Sequence, residues 1–237
     1  MNDLRPLSES TIRLRDSGAG AEGRRLGLTG GEMLLAINGR PFRGDDDTLE
    51  KRFEEAGGKP LVLTFRRGAE EIVVLGHTGK LGRWDIVPAP EEETSDDPPR
   101  RLDPAHLRNF EVMRSEAGVY DIMPAVPPMM AMMASPVWLL QMRLWAPGAT
   151  LIAALAASAV VTPWLAAAVW LAAGLYVRRA GAFFLRADRR GRGLAFHGVI
   201  AARTEAEAHA RHLARHPGDR NLFLPAPPQA DGEAETA

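Results

Sequence analysis

The sequence predicts an α+β protein: a small strand-rich soluble domain, then an apolar pair of helices, then a short soluble tail. Three observations carry this expectation. Residues 11–76 alternate short apolar runs with turn dipeptides, residues 144–177 contain no Asp, Glu, Lys, Arg or His, and the chain on either side of that stretch is dense in charge. The 237 residues hold 29 basic and 30 acidic groups and no Cys. That balance excludes a disulfide framework, a thiolate metal site and a thiol nucleophile, and offers no bulk positive charge to hold nucleic acid.

Residues 1–10 form an N-terminal arm with Asp3, Arg5 and Glu9 and no apolar run, unlike a secretory signal. Residues 11–15 alternate polar and apolar, and 32–37, 60–65 and 71–75 are compact apolar runs, which makes four strands. Asn38-Gly39 is a turn dipeptide after the second run, and Arg66-Arg67-Gly68 parts the third from the fourth as a hairpin loop does. Asp45, Asp46 and Asp47 favour a helix N-terminus. Leu49 and Phe53 share a face of that helix, which ends at Gly57-Gly58.

The string at 27–42, Gly-Leu-Thr-Gly-Gly-Glu-Met-Leu-Leu-Ala-Ile-Asn-Gly-Arg-Pro-Phe, followed by a helix, a strand, a basic turn and a strand, resembles the bacterial PDZ domain. The resemblance spans about 65 residues within a domain bounded at 11–87. It implies a small β-sandwich or barrel with capping helices that binds extended protein segments by adding a strand to a sheet edge. Carried onto this chain, it places Ile12 and Leu14 on the groove strand and Leu49, Arg52 and Phe53 on the facing helix. Glu32 stands where Asp is usual after the paired glycines. The segment 6–10 lacks the Gly-rich loop that grips a terminal carboxylate, leaving internal segments or the protein's own chain as ligands. The alternative for Ile12, Leu14, Leu49 and Phe53 is ordinary core.

Residues 88–102 are acidic and Pro-rich with little to bury, which predicts a disordered linker. Asp103-Pro104 reads as the N-cap and first turn of a helix carrying Leu107, Phe110, Val112 and Met113 and closing near Gly118. Met129, Met130, Met132 and Met133 end this 103–136 region as a soft apolar patch, laid along a membrane surface or bound to a flexible partner. As one helix the uncharged stretch would be about 51 Å long, against a hydrocarbon core of about 30 Å. Thr162-Pro163 breaks it, predicting helices over 145–161 and 163–185 in a transmembrane hairpin (137–185), with a single kinked, tilted span as the alternative. Ala153, Ala157, Ala168 and Ala172 are spaced for close helix approach. Trp138, Trp145, Trp164 and Tyr176, with Arg178 and Arg179, read as interfacial anchors. Arg on both sides of the stretch places both termini in the cytoplasm, so the reading is a multi-pass protein of the bacterial inner membrane.

The tail (186–216) is Arg-rich, then apolar at 197–202, then a capped helix at 204–215. Together with the hairpin, residues 135–215 are similar to a family of small bacterial inner-membrane proteins of unknown function. Glu205, His209, His212 and His216 recur at helical spacing, the pattern of a transition-metal site or of the wet face of an amphipathic helix packed through Ala202, Ala206, Ala210 and Leu213. Residues 217–237 are small and acidic, an expected disordered end.

No Gly-x-Ser-x-Gly, His-Glu-x-x-His or phosphate-binding loop occurs, and no cofactor is implied. The expectation is a non-enzymatic, membrane-anchored module that recruits a protein partner to the lipid bilayer. The alternatives are an accessory subunit of a membrane protein complex and, least favoured, a membrane protease.

Overall fold

The computed structural model describes residues 10–90 and 102–224. The chain is α+β, as expected, and divides into two compact units. The first comprises residues 1–111, 124–126 and 197–208; the second comprises 112–123, 127–196 and 209–237.

The first unit is built on an antiparallel sheet. Its elements are β1 (Ser10–Ala19), α1 (Ala21–Arg25), β2 (Met33–Ile37), β3 (Arg40–Pro41), α2 (Asp46–Glu55), β4 (Leu61–Arg67), β5 (Glu70–Gly76) and β6 (Gly82–Pro88). The strand order is β5-β4-β2-β1-β6, with β3 paired to β2. Ile12 lies opposite Ile86, Leu34 opposite Phe65, and Leu63 opposite Val74. Asn38 and Gly39 both adopt positive φ, 52° and 78°, so the two-residue loop between β2 and β3 is the tight hairpin the dipeptide predicts. α2 starts where three acidic residues suggested: Asp45 caps it, its Oδ1 accepting the Thr48 N–H at 2.9 Å and the Thr48 hydroxyl at 2.6 Å. The core gathers Ile12, Leu14, Leu34, Leu49, Leu63 and Phe65. It also includes Val199, which the chain supplies far downstream from β9 (Ala195–Ala202).

The helix expected from Asp103 is absent. Asp103 caps only a 3-10 turn, Pro104–His106, and the chain then extends as β7 (Arg108–Arg114) and returns as β8 (Val119–Pro124). Gly118, at φ 73°, closes the reversal between the two strands, with Ser115 N–H donating to Val119 O at 2.8 Å, and so does not end a helix. Phe110, Glu111, Val112 and Met113 are all buried, so both faces of the strand are covered; the helical reading of the same residues loses to cross-strand pairing. A second sheet orders its strands β10-β8-β7-β9.

The second unit holds α3 (Met130–Met133), α4 (Ser135–Gln141), α5 (Trp145–Val161), α6 (Pro163–Gly191), most of α7 (Glu205–Arg215) and β10 (Arg220–Asn221), which runs parallel to β8. Thr162 joins α5 to α6 and caps the latter, its hydroxyl accepting the Leu165 N–H at 3.1 Å. The buried positions of α6 are Gly174, Val177, Gly181, Leu185 and Arg189, one stripe at the helical period. Ala153, Ala157, Ala168 and Ala172, expected at a close helix contact, are exposed. Gly181 takes that role: a Cβ there would stand 2.9 Å from the Trp138 ring.

The multi-pass expectation is overturned. Among the described residues only α6, 29 residues long, is long and apolar enough to cross a membrane, a length and composition that core helices of soluble proteins also reach. At 17 residues, α5 extends about 26 Å, short of the roughly 30 Å hydrocarbon core. A bacterial inner-membrane protein with two crossings and both termini cytoplasmic is therefore not supported. The acidic stretch 91–101, the arm at 1–9 and the end at 225–237 lie outside the described residues.

Candidate binding site

Ile12, Leu14, Leu49 and Phe53 are buried in the first unit's core, the ordinary role the sequence left open for them. β1 cannot be the docking strand, because β2 and β6 pair with it on either side. The strand that ends the sheet beside it is β6, a 7-residue segment between Gly82 and Pro88. Trp84 and Ile86, two residues apart, share a face of β6. Trp84 stacks on Phe65 with centroids 6.4 Å apart and planes within 8°. Ile86 lies opposite the fully buried Ile12, yet is 58% exposed. The apolar face of the sheet is therefore covered at β1 and open at β6. Sequence reading passed over this strand, although Trp-Asp-Ile-Val between a Gly and a Pro is a legible edge-strand signal.

At the other edge, a side chain closes β5 at Leu75. Asn109 Nδ2 donates to Leu75 O and its Oδ1 accepts the Leu75 N–H, both at 2.8 Å, so the amide imitates a neighbouring strand. Glu32, which follows the paired glycines, anchors the loop before β2. Its carboxylate accepts the N–H groups of Thr29 at 3.0 Å and Gly30 at 2.8 Å, and Arg67 donates through Nε at 2.9 Å. Burial alone would raise the Glu32 pKa; the bonds from Thr29, Arg67 and Gly30 outweigh it and hold the value below the ordinary one.

Arg52, the remaining predicted groove residue, is exposed and lines a cavity of about 780 Å³ between β3, the end of α2 and residues 102–104. Arg40 and Arg43 line the same cavity.

In the second unit, Trp138 is 2% exposed and packs with Leu139, Val177 and Leu185, so it is core and not an interfacial anchor. Trp145, Trp164 and Tyr176 are exposed; Arg178 is half-buried and Arg179 exposed. The histidines of α7 are not its wet face. His212 is 2% exposed, with Nε2 2.9 Å from Asp219 Oδ2 and its ring 4.2 Å from that of Tyr120. His209 Nδ1 lies 3.1 Å from the Tyr120 hydroxyl, and the His216 ring lies 4.9 Å from that of His212, tilted by 42°. No group of three His, Asp or Glu able to hold a metal occurs among the described residues. Of the expected packing stripe, Ala202 is buried but Ala206, Ala210 and Leu213 are exposed, and Ala208 is buried instead. Arg114 completes the cluster, donating to Asp219 through Nε at 2.6 Å and Nη2 at 2.9 Å. The hydrogen bond from Arg114 is the main reason the Asp219 pKa falls to about 2. This arrangement ties Asp219 to Arg114 of β7 and His212 of α7.

Comparison with protein-family models, curated proteins and solved structures finds no match.

Proposed function

We propose that this chain is a non-enzymatic protein-binding module whose PDZ-like first unit takes an extended segment of a partner protein along β6. The observation that carries this reading is Ile86: an exposed apolar side chain on the core face of the strand that ends the sheet, where an added strand finds main-chain partners and a place for an apolar side chain. On the other edge strand, β5, Asn109 already holds the main chain of Leu75, which favours β6 as the edge to extend. The second unit holds the module against a lipid bilayer through the apolar surface it exposes, chiefly Val160 at 88% and Trp164 at 85%. This contact requires no second crossing. The same surface supports a second reading, an accessory subunit packed on the helices of a membrane protein complex.

Affinity capture with the full chain in mild detergent tests these readings. Partner loss on Ile86→Asp, with an unchanged circular dichroism spectrum, is the result expected for recruitment through β6. Capture of one complex that survives Ile86→Asp and is lost on Trp164→Ser favours the subunit reading and rejects the β6 site. For the lipid contact, co-flotation with anionic phospholipid vesicles is expected and should drop on Trp164→Ser; a chain that stays at the bottom of the gradient rules it out.

A further inference from the structure

We propose that the second unit selects anionic phospholipid: the exposed apolar half of α6 meets acyl chains, and Arg178 and Arg179 bind phosphate headgroups at the border of that apolar surface. This inference rests on the lipid contact proposed above and names the lipid it takes.

The two halves of α6 differ in charge. Residues 163–177 hold no Asp, Glu, Lys, Arg or His, whereas residues 178–192 hold six arginines and one acid, Asp188. The change falls along one exposed face. Gly174, Val177, Gly181 and Leu185 turn inward, so Trp164, Leu171, Leu175, Arg179, Phe183 and Arg190 succeed one another at helical spacing on the outward side, and all six are exposed. The start of α5 repeats the pattern. Trp145 and Arg179 each stand 17 positions from Thr162, the residue that joins the two helices, and Trp145 is exposed as well. An exposed indole and a guanidinium equally far from an apolar tip are the residue types that settle where hydrocarbon gives way to headgroups.

No carboxylate neutralises these arginines. The chain has no Asp or Glu between Asp121 and Asp188, so α3, α4 and α5, the helices packed on α6, offer none. Asp188 is engaged elsewhere: its Oδ2 accepts from Arg189 Nη1 at 2.5 Å and from Arg192 Nε at 2.9 Å. Arg178 and Arg179 form no ion pair among the described residues. Each guanidinium presents N–H donors in a planar fork that fits a phosphate two bonds at a time. Nucleic acid offers the same phosphates but nothing for the apolar half to enter, so the continuity of the two halves favours lipid.

Co-flotation of the full chain with vesicles of phosphatidylcholine alone, and of equal parts phosphatidylcholine and phosphatidylglycerol, tests the selectivity. Binding about tenfold tighter to the mixed vesicles is expected, with the difference shrinking as salt is raised. Arg178→Gln/Arg179→Gln should lose about tenfold on the mixed vesicles and little on the neutral ones. Lys59→Gln/Lys80→Gln, the same change in charge at exposed positions of the first unit, should leave both unchanged. Equal binding to the two vesicle types keeps the lipid contact and overturns the selectivity; binding to neither overturns both. Equal weakening by the two double variants, or binding of a DNA duplex that Arg178→Gln/Arg179→Gln abolishes, also overturns the proposal. Should the arginine variant fail to fold, the composition and salt dependence of the unaltered chain decide by themselves.

Discussion

Glu32 and Asp219 show how a single carboxylate can fix a segment of backbone. The Glu32 side chain is fully buried and Arg67 partners it from β4, so Arg67→Ala leaves a buried charge with only N–H and hydroxyl partners. We expect that variant to lose about 2–3 kcal/mol in urea denaturation, and Glu32→Gln/Arg67→Ala to recover part of the loss. Asp219 gives a pH dependence. Its folded pKa of about 2 lies below the unfolded 3.8, so its contribution is complete above about pH 4 and vanishes as the pH falls toward 2. Allowing for the partly exposed Arg114 end, this amounts to about 1–2 kcal/mol. Thermal unfolding of the unaltered chain should weaken across that window more than unfolding of Asp219→Asn; parallel curves would dismiss the idea. At this scale the sequence was only partly legible. Glu32 stood out because its motif did, but the partners of His212 and Asp219 come from β7 and β8, a hairpin hidden behind a helical reading.

At the scale of elements, local signals were read well wherever they were sufficient by themselves. Asn38-Gly39 fixed a hairpin, Asp45 a helix start and Thr162-Pro163 a helix break, and the structure places each there. Asp45→Ala should cost about 1 kcal/mol of stability by chemical denaturation, since α2 loses its cap and Thr48 both of its bonds. What failed depended on distant contacts. Residues 108–114 bury four consecutive side chains, a run whose period does not separate strand from helix, and pairing chose between them, while β6 was passed over although it bears the exposed Ile86. The α7 faces were inverted for a similar reason: hydrophobicity pointed to Ala206, Ala210 and Leu213, whereas Asp219 and Tyr120 draw His212 inward. Alanine stripes likewise misled, because glycine at Gly181 is what admits the Trp138 ring.

At the scale of the whole molecule, the first unit is not one continuous stretch of chain. Its cores include Val199, and Ala201 packs with Val62, Leu75 and Leu107, although more than 80 residues assigned largely to the second unit intervene. A fragment covering residues 10–111 lacks both side chains and should unfold at distinctly lower urea concentration than the same unit in the full chain, by about 2–3 kcal/mol for two lost core contacts and an unpaired strand. Equal midpoints would show that the downstream segment is dispensable. The sequence concealed this arrangement because the PDZ-like resemblance is compact and ends near residue 76, and nothing in residues 197–202 names the sheet they join.

The late arrival of Val199 has a consequence for biosynthesis. While a ribosome is still producing the Ala- and Trp-rich helices, the already emerged sheet lacks its last buried piece. Nascent chains stalled or nicked before that point keep an incomplete sheet for proteases to find, so translation past residue 199 serves as a checkpoint on strands made long before it.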